Sequence, residues 1–341
     1  MMNRIIQWLF VLLAGLSLLL FAASGCRPAG APVLPAAEPE VEYGGGETPE
    51  LSSVALAAGE KLRVVATTSI VADVVKNVGQ GLIDLALLVP LGTDPHAFEP
   101  TPQDAVALAD SHVVFANGAG LEAFLEPLLD SAGEHAIVVP LSRHIELLQF
   151  GGAQEGVQGE GNHGPAEFDP HTWFDPNNVV VWTRDIGDAL SALDPLNAAA
   201  YQENAEAYEQ KLEELDEWIR AQLAQVPKVD RRVVTDHRSF SYFASRYGFE
   251  QIGTVFSGYS TLDEPSARDI AALEDAIRQF EVKAVFVGLT VNSRIAERVA
   301  EDTDTKLVFL YTGSLSEPSG PASDYVSFMR YNVSAIAEAL R

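Results

Sequence analysis

Two of the chain's seven histidines stand behind the same dipeptide, in Asp94-Pro95-His96 and in Asp169-Pro170-His171. An aromatic side chain follows each histidine two residues later, Phe98 in one case and Trp173 in the other. Because proline fixes its own φ and pushes the preceding residue into extended geometry, each histidine leaves a stiff turn. Stiff turns favour an imidazole held in one place, which a metal ligand requires. Asp-Pro is also a common turn starter, so the repeat has a purely structural interpretation as well.

A third histidine, His237, comes directly after the predicted strand Arg232–Thr235, and His96 follows the predicted strand Ile83–Val89. In open α/β sheets, ligands bind outside the carboxyl ends of the strands. If two lobes follow this rule, His96 and His171 of the first face His237 of the second across one cleft. Imidazole suits zinc, copper and nickel, whereas manganese and magnesium prefer oxygen donors. We therefore predict that these histidines form a site for a metal such as zinc, copper or nickel, with Mn²⁺ less favoured.

The other histidines give weaker signals. His112, His135 and His144 lie beside predicted strands, and His163 lies in the glycine-rich segment 151–167, where it is an auxiliary candidate for metal capture. The chain contains no Gly-x-Ser-x-Gly nucleophile elbow, no P-loop and no dinucleotide-binding glycine fingerprint.

Short apolar runs alternate with helical patterns twice over, which predicts two α/β lobes. Each lobe is expected to be a mainly parallel sheet flanked by helices. The predicted strands are Leu62–Ala66, Ile83–Val89, His112–Ala116, Ala136–Pro140, Arg232–Thr235, Gln251–Phe256, Lys283–Val287 and Lys306–Tyr311. The helical patterns between them include Ile70–Val78, Gln103–Ala109, Glu264–Gln279 and Asn292–Asp302.

One long helix is predicted between the lobes, over residues 195–226, with Asp194 as its N-cap and Pro195 at its first position. Its apolar positions recur every three or four residues, at Tyr201, Ala205, Tyr208, Leu212, Leu215 and Ile219. At ~1.5 Å per residue it would be about 48 Å long, enough to run along both lobes. The remaining domain boundaries are then 61–194 for the N-terminal lobe and 227–341 for the C-terminal lobe. A helical connector predicts limited domain closure.

The start of the chain predicts an exported lipoprotein. Arg4, an apolar run from Ile5 to Ala23 and the only cysteine, Cys26, are typical of a signal peptide over 1–26 that ends in a lipobox. A plain transmembrane anchor is the alternative, since the run is nearly long enough to span a bilayer. Residues 27–60 are rich in Pro, Gly, Ala and Glu and predict a flexible tether. With a single cysteine, the exported part folds without disulfides.

The composition is strongly acidic, with 48 Asp and Glu against 22 Lys and Arg and a formal net charge of −26. This balance argues against nucleic acid and anionic membrane surfaces as partners. It is compatible with a cation as ligand.

On these residues the chain resembles the zinc/manganese-type solute-binding lipoproteins of ABC transporters, over about residues 61–341. Five ordered motifs carry the resemblance: DPHAFEPTPQD (94–104), DPHTWFDPNN (169–178), DPLNAAAYQENAEAY (194–208), HRSFSYFASRYGF (237–249) and MRYNVSAIAEAL (329–340). The resemblance implies two α/β lobes joined by a long helix, with His96, His171 and His237 as metal ligands. Histidine in the third position, where manganese binders often carry Glu, points to zinc.

The chain departs from the family pattern at the fourth ligand. The resemblance implies an acidic residue where Gly313 stands, and often Glu where Gly288 stands. Water is the expected replacement, with Glu317 and Asp236 as the nearest carboxylates in sequence. Asp236 is expected to point away from the site if the backbone there is extended.

The function favoured by these features is a lipid-anchored, extracytoplasmic receptor that captures a divalent metal and delivers it to an ABC permease. Two alternatives stay open. One is a binding or adhesion lipoprotein with a degenerate metal site, which the two glycines favour. The other is a zinc hydrolase, since three histidines with an open position is also the arrangement of catalytic zinc.

Overall fold

The computed structural model describes residues 51–132, 137–149 and 168–341. The predicted signal peptide 1–26, most of the predicted tether 27–60 and the candidates His135 and His163 lie outside the described residues. Among the helices of the described ranges, none combines the length and the apolar character that crossing a bilayer requires.

Eight β-strands form two four-stranded sheets, and every pairing between neighbouring strands is parallel. The order is β2-β1-β3-β4 in the first sheet and β6-β5-β7-β8 in the second, so both lobes share one topology. This confirms the predicted fold class of two α/β lobes. The strands are β1 (Leu62–Ala66), β2 (Ile83–Leu87), β3 (Val113–Ala116), β4 (Val138–Pro140), β5 (Arg232–Thr235), β6 (Glu250–Thr254), β7 (Ala284–Gly288) and β8 (Lys306–Leu310).

Helices cover the sheets, and several begin at the caps that their sequences supply. The carboxylate of Asp175 accepts a hydrogen bond from the Asn177 N–H, and Pro176 takes the first helical position of its helix. Ser266 and Asp324 each open a helix with a reciprocal capping box. The helices of the described ranges are α1 (Ser69–Gly79), α2 (Pro102–Ala109), α3 (Leu125–Ala132), α4 (Pro176–Leu193), α5 (Ala198–Leu223), α6 (Ser241–Tyr247), α7 (Ala267–Gln279), α8 (Arg294–Thr303) and α9 (Tyr325–Leu340).

The helix between the lobes, α5, begins later than its sequence pattern indicates, and the assignment of Asp194 as its N-cap is wrong. Asp194 ends α4 instead, because its backbone N–H donates to the Leu190 carbonyl. Its carboxylate accepts hydrogen bonds from Asn197 Nδ2 (2.6 Å) and from the Tyr201 hydroxyl (3.0 Å). These bonds stabilise a tight turn between two packed helices, so α5 starts at Ala198 and has 26 residues. At ~1.5 Å per residue it is about 39 Å long.

Despite its shorter length, α5 contacts both lobes. Its Tyr208 hydroxyl donates to Asp73 of α1 in the first lobe (3.3 Å), and its Asp216 accepts from the Tyr247 hydroxyl of α6 in the second (2.8 Å). One buried apolar cluster also runs from β1 and β3 through α4, α5 and α9 to β7. Two smaller clusters cover the outer faces of the sheets, under α2 and α3 and under α7 and α8. A core shared by both lobes opposes hinge motion, and limited closure remains a prediction.

Candidate metal centre

Three imidazole rings meet between the lobes at the carboxyl ends of the strands. His171 Nε2 lies 3.1 Å from His96 Nε2 and 3.0 Å from His237 Nε2. His171 and His237 are 1% and 2% exposed, and His96 is half-buried. Among the described residues, these histidines form the one group of three or more candidate ligands whose donor atoms all lie within 4.8 Å of one another. The structure therefore brings together the three histidines that the sequence singled out.

His96 lies on the loop that connects β2 to α2. The Asp94 carboxylate accepts a hydrogen bond from the His96 backbone N–H at 3.0 Å, and Pro95 between them is buried. Asp94 thus closes a local Asx turn, which fixes the direction in which the imidazole leaves the chain. The first Asp-Pro-His repeat therefore forms a turn and also orients the histidine.

His171 is held more tightly, in the turn that precedes α4. Asp169 Oδ1 accepts from both the backbone N–H (2.9 Å) and Nδ1 (2.8 Å) of His171. Asn117, fully buried at the end of β3, donates from Nδ2 to the Pro170 carbonyl at 2.9 Å. The Trp173 ring packs edge-on against the imidazole, with ring centroids 5.1 Å apart. Sequence reasoning missed Asn117, and its position directly after a buried strand was the available signal.

His237 follows β5, and Asp236 holds it from behind. Asp236 Oδ1 lies 2.6 Å from the His237 backbone nitrogen and 2.7 Å from Nδ1, and Oδ2 accepts from the Gly288 N–H at 2.6 Å. Asp236 does not line the cavity beside the imidazoles, as expected, but the reason is not alternation along an extended strand. The chain has left β5 at this residue, so the side chain folds back onto its neighbour instead of alternating across a strand.

The hydrogen bonds to Asp169 and Asp236 determine which ring nitrogen is free. A carboxylate that accepts from Nδ1–H leaves a lone pair on Nε2, and the Nε2 atoms of His171 and His237 are the ones that converge. Zinc binds imidazole nitrogen at ~2.0–2.1 Å, so tetrahedral ligands would be about 3.3 Å apart. The observed separations of 3.0 and 3.1 Å fit one such ion after a small outward shift.

The buried site perturbs the pKa of each of its groups. Burial, followed by the charges of neighbouring histidines, holds the pKa values of His96 and His171 well below the usual 6.5. Burial also lowers the pKa of His237, but the Asp236 carboxylate outweighs it and raises the pKa above 6.5. Burial raises the pKa of Asp169 to about 7. Burial therefore favours the neutral, metal-binding form of His96 and His171, whereas Asp236 favours the protonated form of His237.

A fourth donor from the protein is absent from this cluster of described residues. Gly313 and Gly288 have no side chain, and Glu317 is exposed and does not line the cavity beside the imidazoles. A Cβ at position 313 would lie 2.7 Å from Pro95 Cδ, and one at 288 would lie 2.2 Å from Thr312 Oγ1. Neighbouring side chains therefore fill the space that a residue at either position would need. The cavity has a volume of about 10 Å³, which is enough for about one water molecule or one ion.

The two other described histidines lie away from this centre. His144 Nδ1 contacts Asp185 at 2.9 Å, and His112 Nδ1 accepts the backbone N–H of Arg63. Neither lines the cavity.

Comparison with known proteins places the chain in a defined group. The family described as zinc-uptake complex component A, periplasmic, matches residues 64–339. The manganese ABC transporter substrate-binding lipoprotein PsaA of Streptococcus mitis is 32% identical over 296 residues, covering 83% of this chain and 91% of the relative. The metal ABC transporter substrate-binding lipoprotein FimA of Streptococcus parasanguinis is also 32% identical, over 295 residues that cover 83% of this chain and 90% of FimA.

Solved structures of periplasmic metal-binding proteins also superpose on this chain. A Mn-bound periplasmic metal binding protein from Candidatus Liberibacter asiaticus superposes with a TM-score of 0.72 at 25% identity, covering 83% of this chain and all of that one. The periplasmic zinc binding protein TroA of Treponema pallidum superposes with a TM-score of 0.72 at 27% identity, covering 82% and 99%. The relatives are thus named for two different metals.

Proposed function

Because the chain belongs to the family of periplasmic zinc-uptake complex component A, and is thus a metal-binding, substrate-binding component of an ABC transporter, we propose that its cargo is Zn²⁺. The proposed ligands are the Nε2 atoms of His96, His171 and His237. The observation that supports this most directly is their convergence within 4.8 Å, with a carboxylate behind His171 and another behind His237.

The choice of zinc over manganese depends on the donor set. Relatives are named for manganese and for zinc, so their names leave the metal open. Imidazole nitrogen suits zinc, and manganese prefers carboxylate or carbonyl oxygen. Among the described residues, the cluster of candidate donor atoms consists of three imidazoles and contains no carboxylate. A site of this composition discriminates against manganese.

We expect Zn²⁺ to bind the purified chain at least ~10-fold more tightly than Mn²⁺, because three nitrogen donors without a carboxylate ligand disfavour manganese. Competition of each metal against a chromophoric chelator measures both affinities on one sample. The manganese relative PsaA, measured in parallel, is the control for the assay. Manganese binding as tight as zinc binding would show that the donor set does not select the cargo.

We also expect zinc affinity to fall as the pH drops. In the metal-free site the pKa of His237 is raised above its usual 6.5 and that of Asp169 is raised to about 7, so both groups hold a proton more strongly than usual. Zinc binding requires a neutral His237 and favours an ionised Asp169, so protons compete with the metal and affinity is lost on acidification. More protons should therefore leave per ion at about pH 6 than at about pH 8. Calorimetry in buffers of different ionisation enthalpy counts these protons, and a count that does not change with pH would contradict the assignment.

Delivery and anchoring complete the proposal. The receptor presents its loaded cleft to an ABC permease and is held outside the cytoplasmic membrane by a lipid on Cys26. The lipoprotein names of its relatives support this anchoring. The same relatives are transporter components rather than enzymes, which favours a receptor over the three-histidine hydrolase. The intact histidine cluster likewise favours a working site over a degenerate one in an adhesion lipoprotein.

A further inference from the structure

The cavity beside the imidazoles is lined by one carboxylate among the described residues, that of Asp94. It lies two residues before His96 on the same loop, but it is not part of the cluster of candidate donor atoms that lie within 4.8 Å of one another. Asp94 therefore faces the space beside the metal site without being placed to bind the same ion directly.

Asp94 is held from both lobes. Its Oδ1 accepts the His96 backbone N–H at 3.0 Å, and its Oδ2 accepts the Thr261 hydroxyl at 2.5 Å. Thr261 follows β6 in the second lobe, and it lines the same cavity. A carboxylate with two hydrogen bonds from opposite sides has a fixed position and keeps further lone pairs for another donor.

Asp94 also lies beside the position where the family resemblance implies an acidic ligand. Gly313 stands there, and a Cβ on it would lie 2.7 Å from the ring of Pro95, the residue next to Asp94. The loop of Asp94 thus occupies the region that a side chain at position 313 would fill. The loop that carries Asp94 therefore packs against the position where the resemblance implies a carboxylate ligand.

The charge balance of the site gives Asp94 a role. Three neutral imidazoles leave a bound Zn²⁺ with its full double charge, and a nearby anion stabilises such an ion even without a direct bond. Asp94 lines the same cavity as the three imidazoles, so its carboxylate lies beside the proposed position of the ion. The cavity has room for about one water or ion.

We propose that Asp94 is the anionic group of the zinc site and acts through a water molecule, which completes the coordination of the ion and donates a hydrogen bond to the carboxylate. This inference rests on the proposed function, since it assumes zinc bound to the three histidines. Asp94 is then a positioning residue that sets affinity without being a ligand.

The test compares Asp94→Asn with Glu99→Gln in the full chain, purified in detergent. Asparagine keeps the oxygen that accepts the His96 N–H but removes the charge. Glu99→Gln removes one negative charge from an exposed position on the same loop, so it controls for the long-range field. Asp94→Asn should weaken Zn²⁺ binding about 10-fold relative to this control, within the range typical of groups that support a metal ligand. The thermal midpoint of each metal-free variant checks that the loop remains folded.

A second variant, Thr261→Val, separates the effect of the Asp94 charge on zinc affinity from the effect of its fixed position. It keeps the carboxylate but removes one hydrogen bond that holds it, so it should weaken zinc binding less than Asp94→Asn does. A loss as large as that of Asp94→Asn would mean that the link between the lobes matters rather than the charge, and would overturn the proposal. Equal affinities of Asp94→Asn and Glu99→Gln would overturn it too.

The coordination of the metal gives a readout besides affinity. X-ray absorption of the zinc-loaded chain should show three nitrogen ligands and one oxygen, unchanged in Asp94→Asn because the water stays. Loss of the oxygen ligand in Asp94→Asn would identify Asp94 as a direct ligand and refute the water-mediated arrangement.

His171→Ala distinguishes a failure of the proposed zinc site from a failure of the proposed role of Asp94. Zinc binding that survives this change would refute the histidine site itself, whereas a null result for Asp94→Asn alone refutes only the role of Asp94.

Discussion

Replacing His171 with alanine should lower zinc affinity by more than about 100-fold, beyond what the loss of a supporting group typically costs. His171 is the central histidine of the proposed site, because its Nε2 lies within 3.1 Å of the Nε2 atoms of both other histidines. It is also 1% exposed, so no other side chain or bulk water can easily take its place. Two imidazoles would remain, from different lobes, with a gap between them.

The matched control is His144→Ala. His144 also pairs through Nδ1 with a carboxylate, Asp185, at 2.9 Å, but it lies outside the cavity. It should leave zinc affinity unchanged. Trp173, whose ring lies 5.1 Å from that of His171, gives a second readout, because loading of the wild-type site should change its fluorescence and His171→Ala should abolish the change. Comparable zinc affinities for His171→Ala and the wild type would show that the three histidines are not the zinc site.

Stability limits the interpretation of His171→Ala only slightly. The change removes the Nδ1–H bond to the buried Asp169 carboxylate, and the loss of a bond to a buried charged group costs about 1–3 kcal/mol. The backbone N–H of residue 171 still donates to Asp169, so the turn keeps one of its two bonds. Chemical denaturation of the metal-free variant measures this cost separately from the binding assay.

The convergence of His96, His171 and His237 could be predicted from the sequence because their signals are local. An Asp-Pro pair fixes the turn before His96 and before His171 through φ restriction alone, and His237 follows a strand whose apolar residues are evident. The rule that parallel sheets bind ligands at their carboxyl edge then places these residues on one cleft. The two lobes and their strands were predictable for the same reason, since β-rich apolar runs mark buried parallel strands.

The supporting groups were not predictable, because they act across distances that the sequence does not show. Asn117 reaches the Pro170 carbonyl from the end of another strand, and Thr261 reaches Asp94 from the other lobe. The direction of Asp236 depended on where β5 ends, and strand ends are the least certain feature of a pattern. The start of α5 shifted for a related reason, since Asp194 ends one helix while its side chain stabilises the turn to the next.

The second large effect is expected for Asp236→Asn, which should lower zinc affinity about 10- to 100-fold. Asp236 is 1% exposed and accepts from His237 on one oxygen and from the Gly288 N–H on the other. An asparagine cannot satisfy both donors. If its oxygen faces Gly288, its NH₂ group faces His237 Nδ1 and favours the tautomer with hydrogen on Nε2, which cannot bind metal. If its oxygen faces His237, two N–H donors meet at Gly288.

Asp236→Asn should also change the number of protons released on zinc binding, which a merely destabilised site would not do. The carboxylate is what raises the pKa of His237 against the effect of burial, so the variant should release fewer protons per zinc ion at about pH 6 than the wild type does. Asp185→Asn, at the carboxylate–histidine pair outside the cavity, should change neither the zinc affinity nor this count. An Asp236→Asn variant with wild-type affinity and wild-type proton release would show that His237 keeps its tautomer unaided. The third ligand would then need no carboxylate behind it.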